Sequence, residues 1–212
     1  MTLPELGQQI LWARLAWGVV AAALLLSLLP LRGIKPRAAV ALLAILAMWL
    51  PGPASPAWWL GLAFQQPSGL FAALCGVSLW KRFADRPAQQ TLPPALAAVL
   101  LAGGLVLYAD AAGALALGLY PWGFEPVQAP VAGVVLSVLA LAVIVRGRQH
   151  AAAWAVLLAL TFHAVTHLPT GNFFDALLDP LLWLWALARC VASVFAFVSA
   201  RRRGRASVAP NP

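Results

Sequence analysis

The stretch ILWARLAWGVVAAALLLSLLPLRGIKPR, residues 10–37, holds both facts that decide the fold. From 10 to 31 it is apolar except for Arg14 and Ser27, long enough to cross a hydrocarbon core of about 30 Å as one helix. Pro30 then interrupts the run, and Arg32, Lys35 and Arg37 follow, the kind of cationic cluster that marks a cytoplasmic loop.

The rest of the chain repeats this pattern. Hydrophobic residues make up 63% of the 212 and charged residues 9%, and so few polar groups could not cover that apolar fraction in a water-soluble fold. At about twenty residues per crossing there is room for six or seven spans and no sizeable soluble domain. The net charge of +8 sits in short loops between apolar runs, so membrane lipids, and not nucleic acid, are the expected partners. Cys75 and Cys190 fall inside apolar runs and read as small packing residues. The residues before the first run lack a basic segment, so that run is expected to stay in place as a helix and not to be cleaved as a leader.

The expected fold is an all-α integral membrane protein with about seven transmembrane helices, its amino terminus outside and its carboxy terminus cytoplasmic. A single polytopic domain covers 1–205, with spans at about 10–31, 38–50, 57–80, 95–119, 127–145, 151–168 and 180–200, and a disordered tail at 206–212. This path puts Arg32, Lys35, Arg37, Lys81, Arg82, Arg86, Arg146, Arg148, Arg201, Arg202, Arg203 and Arg205 inside. Glu5, Asp110, Glu125, Asp175 and Asp179 fall outside or in the outer leaflet, leaving Asp85 as the inner carboxylate. The first three and last three spans share orientation and a similar order of turn residues, which suits a three-one-three arrangement; any two outward-facing hairpins give the same order.

Polar residues inside apolar runs are the candidate functional groups, because an ionisable side chain at membrane depth costs about 2.5 to 3.5 kcal/mol on insertion scales and asks for a partner or a wet cavity. Gln65, Gln66 and Ser68 surround Pro67 within the third span, a polar break whose freed backbone groups need protein or water to satisfy them. Arg189 lies nine residues beyond Pro180, about 14 Å down a helix, a depth that counting from residue 57 also assigns to the two glutamines. These four residues are the expected substrate-binding floor. Arg14 and Asp110, both in the outer leaflet by the same counting, are an expected ion pair.

His163 and His167 are four apart on one expected helix and so share a face, with Asp175 and Asp179 as further candidate metal ligands. They cannot be opposed axial ligands of one haem, so no self-contained haem site is expected. A His-x-x-x-His pair, an aspartate and seven spans are similar to part of the ceramidase-like hydrolase pattern. That pattern also needs an upstream Ser-x-x-x-His, and no histidine precedes His150. Two functions follow as expectations. The first is a non-enzymatic inner-membrane protein, a small transporter or a membrane subunit of an envelope complex, with an outward-opening polar cavity. The second is a membrane-embedded metal-dependent hydrolase acting on a lipid or lipid-linked substrate at the outer interface.

Overall fold

A computed structural model of the chain describes residues 3–84, 90–147 and 150–206, and among them every regular element is helical. In chain order these are α1 (Leu6–Leu28), α2 (Ile34–Ala47), a 3-10 turn (Gly52–Ala54), α3 (Pro56–Phe64), α4 (Gly69–Phe83), α5 (Pro94–Ala111), α6 (Leu119–Trp122), α7 (Gln128–Val145), α8 (His150–Thr166), α9 (Phe173–Leu177) and α10 (Pro180–Ala206). Proline opens α3, α5 and α10, a position where its missing N–H costs nothing and its fixed φ suits the first turn.

Four of these helices are long and apolar enough to cross a membrane: α1, α5, α7 and α10 as far as Ala200. The most apolar stretches of α5, α7 and α10 have mean hydropathies of 1.7, 2.3 and 2.0, yet only 11% of each is buried within the protein. Valines at 131, 134, 135 and 138 of α7 stand on the surface. Such faces are stable only against hydrocarbon, so lipid is the solvent for this fold. The α8 helix is apolar and slightly shorter. With 14 residues α2 rises about 21 Å, and the expected third span is divided into α3 and α4. The expected fourth span, 95–119, also ends early, because helix stops at Ala111 and resumes only as the short α6. The last helix runs past 200 to Ala206; the rest of the expected tail, like Asp85, Arg86 and Arg148, lies outside the described residues.

At the centre is α4, flanked by α1 and α8, with α2 against the far side of α1 and α7 against the far side of α8. The α5–α10 pair closes the bundle, with Phe71 of α4 edge-on to Trp185 of α10 at 6.2 Å between ring centres. Alanine is the commonest buried residue among those described. Small side chains let backbones approach, which is how helices associate when lipid removes the hydrophobic drive between them. A Cβ on Gly18 would lie 3.2 Å from the Ile45 backbone, and one on Gly69 would lie 3.2 Å from the Ala176 carbonyl. The halves of the chain do not repeat one packing plan: α1 packs on both α2 and α4, whereas the principal partner of α10 is α5 and not α7.

The end of the bundle where α1 and α4 finish is tied by cations. Arg37 donates to the Arg82 carbonyl at 2.7 Å, and Arg82 donates to the Leu26 carbonyl at 2.7 Å. Both acceptors belong to the last turns of helices, where carbonyls lack intrahelical donors.

Candidate binding cavity

The Gln65–Ser68 break, expected to need outside partners, has them. Gln65 takes a positive φ of 61° and ends α3. Its carbonyl accepts from the Trp17 indole N–H at 3.1 Å, and the Pro67 carbonyl accepts from the Trp12 indole N–H at 3.1 Å. The Ser68 hydroxyl then caps α4 by accepting from the Phe71 N–H at 3.1 Å. Both tryptophans come from α1, so the first helix supplies the donors the break requires.

The Ser68 N–H donates to Asp179 Oδ2 at 2.8 Å, while Oδ1 of the same carboxylate accepts from the Leu181 and Leu182 N–H groups at 2.9 and 2.8 Å. Asp179 therefore starts two helices at once, α4 and α10, where the positive ends of both favour a carboxylate. It is buried, and that burial pushes its carboxyl above the usual carboxylate range against the pull of these donors.

Above this junction the chain from Thr170 to Asp179 is held by its own side chains. Asn172, fully buried, donates to the Tyr120 carbonyl at 3.0 Å and accepts from the Phe174 N–H at 2.8 Å. Gly123 makes room for it, since a Cβ there would collide with the Asn172 side chain. Asp175 Oδ2 accepts from the Thr170 hydroxyl at 2.5 Å and the Tyr120 hydroxyl at 2.8 Å. Burial and the bond to Asp175 push the Tyr120 phenol up from its ordinary value.

Between this segment, α1 and α3 lies a half-open cavity of about 880 Å³, whose polar lining includes Arg14, Gln65, Gln66, Thr170, Asp175 and Asp179. The Arg14 guanidinium sits 5.7 Å from the Trp49 ring centre, a cation–π contact, and donates no hydrogen bond to any described protein group. Gln66 Oε1 is buried with no hydrogen-bond partner among the described residues. Arg14 therefore brings a charge with spare donors to the cavity, and Gln66 brings an acceptor with spare capacity.

Three expected groupings are corrected. Arg189 is not beside Gln65 and Gln66: it donates to the Leu92 carbonyl at 3.3 Å and to Gln90 Oε1 at 2.6 Å, in the turn before α5. The Ser68–Asp179 bond puts the glutamines level with the start of α10, and Arg189 lies nine residues, about 14 Å, further along that helix. Ser68 itself is fully buried beneath the cavity.

Arg14 and Asp110 do not pair either. Asp110 accepts from the backbone N–H groups of Leu117, Gly118, Leu119 and Tyr120 at 2.8, 3.0, 2.6 and 3.4 Å, closing the loop beyond α5. Those four donors satisfy the carboxylate without a cation.

The metal set His163, His167, Asp175 and Asp179 does not converge, and no group of three or more such side chains does so among the described residues. His167 follows the end of α8 with a positive φ of 56°, which breaks the shared helical face, and the two rings stand edge to face at 5.9 Å. The His163 Nδ1 atom is already 3.1 Å from the Leu168 carbonyl oxygen. Asp175 and Asp179 are committed to hydroxyl and backbone donors.

Sequence reasoning missed the indoles of Trp12 and Trp17, whose distance along the chain from the break gave no sign of the contact. For Asp179 a sign existed: an Asp-Pro pair opening an apolar run is a helix start, with the carboxylate as cap. Comparison with protein-family models, curated proteins and solved structures gave no match, so the geometry alone carries the functional reading.

Proposed function

We propose that this chain is a multi-pass inner-membrane protein, a small transporter or the membrane subunit of an envelope complex, which binds an anionic group in a cavity open to the outer side. Seven crossings, formed by α1, α2, α3 with α4, α5, α7, α8 and α10, with the amino terminus outside, agree with the cations at the expected inner loops. The observation that carries the binding reading is Arg14, a guanidinium on the cavity wall whose donors meet no acceptor among the described residues. In this scheme it takes the role first expected of Arg189, and the amides of Gln65 and Gln66 orient the bound group.

Binding of sn-glycerol phosphate to the detergent-purified chain tests the reading. Arg14→Gln is expected to weaken it about ten-fold while the protein still inserts and folds. Equal binding by wild type and variant rejects the anion site. Sidedness is checked in a Cys190→Ser background: an impermeant thiol reagent should reach Gly7→Cys in intact spheroplasts and Gly204→Cys only after permeabilisation. The reverse pattern inverts the topology and closes the cavity to the outside.

A further inference from the structure

The cavity has a second wall that a water-borne anion would not use. On α3, Trp58, Gly61 and Leu62 fall at helical spacing and line the same cavity, and Gln65, which ends the helix, lines it too. Trp58 is 51% exposed and Leu62 70% exposed, and Ile10 of α1 adds to the apolar lining. Between them is a clear track, since a Cβ built on Gly61 meets no atom within 4 Å. Asp179 lies by the Gln65–Ser68 break, through its bond to the Ser68 N–H, and Arg14, Gln66 and Asp175 also line the cavity. One cavity thus offers both an exposed apolar wall and a cation with spare donors.

We infer that its ligand is an amphiphile, with a phosphate-type anionic head on Arg14 and an alkyl chain laid along α3 between Trp58 and Ile10. This rests on the anion-site reading above and narrows it. The guanidinium offers paired donors to phosphate oxygens, which Lys could not match in geometry. Asp175 keeps its Oδ1 free of any described protein donor while Oδ2 holds two, so a hydroxyl on the head has an acceptor beside the cavity.

The same chemistry could arrive as a membrane lipid or as a free phosphate ester, and binding separates the two. The delipidated full chain is titrated, with native mass spectrometry as readout, with dioleoylphosphatidylglycerol, with dioleoylglycerol, which lacks the phosphate, and with sn-glycerol phosphate, which lacks the chains. Phosphatidylglycerol is expected to bind at least about ten-fold more tightly than either fragment. Gly61→Leu fills the track, so it should weaken the lipid about ten-fold and leave glycerol phosphate within about two-fold. Leu62→Gln, on the same face, serves equally should Gly61→Leu fail to insert. Arg14→Gln should weaken both phosphate compounds.

Phosphatidylglycerol held no more tightly than glycerol phosphate, or unaffected by both α3 variants, would overturn the amphiphile while leaving the anion site standing. Lipid binding that is indifferent to Arg14→Gln would overturn the head assignment. Glycerol phosphate and phosphatidylglycerol both failing to bind the wild type would remove the anion site itself.

Discussion

Arg14 in the first half of α1 and Arg189 nine residues beyond the start of α10 both interrupt apolar helices, and their surroundings differ in kind. Arg189 has two oxygen acceptors, the Leu92 carbonyl and Gln90, and ties α10 to the turn that starts α5. Arg14 has the face of Trp49 and open cavity. A charge whose donors are spent on protein oxygens serves the fold, whereas one held by a ring alone keeps its directional bonds for something else. Sequence position made the two look alike, and only their acceptors separate them.

The contrast can be broken by experiment. The largest effect is expected from Arg189→Ala: it leaves the buried Leu92 carbonyl without its donor and should cost about 1.5–3 kcal/mol, read as a lowered melting temperature in detergent, with anion binding within about two-fold of wild type. A stable variant that loses binding would exchange the roles of the two arginines. Smaller is Trp49→Leu, which removes the ring beneath Arg14 and should cost about 0.5–1 kcal/mol of stability, with a modest loss of affinity as the guanidinium loses its resting place. Unchanged affinity in this variant would mean that the ligand does not need Arg14 positioned.

The smallest effect concerns the carboxylate below the cavity floor. Burial raises the Asp179 carboxyl in the folded chain, so that state takes up its proton before the unfolded state does. The sign follows: this contribution to stability is complete below the unfolded value of about 4 and is lost as pH rises through the higher folded value. The melting temperature of wild type relative to Asp179→Asn should therefore rise as pH falls from neutral towards the unfolded value of about 4. A difference that stays flat, or falls, would show that the helix N-termini outweigh burial.

Much of this was readable from residues alone, for stated reasons. Apolar runs set the helices, Pro and Gly set their ends, and the Gln65–Ser68 break was visible because amides and proline interrupt hydrocarbon. Depth was not readable. Counting from residue 57 and from Pro180 assumes that both helices start at one level, whereas the Ser68–Asp179 bond sets the end of α3 beside the start of α10, which leaves Arg189 far from the glutamines. The histidine pair failed for a local reason, because α8 stops at Thr166 and His167 turns away. Asp110 looked like a charge in search of a cation, yet the loop that answers it begins seven residues later and has no charged signature.

A single carboxylate that begins two helices also limits how this protein can move. Rotating α4 or α10 about its own axis alone would strip donors from Asp179, so the two are geared together, and the indoles of α1 hold the hub from the other side. The short α3, whose packed neighbours are α1 and the turn just before it, is the piece left outside this clamp. A change in the cavity that keeps these bonds would have to come from α3, nine residues joined to the hub at Gln65.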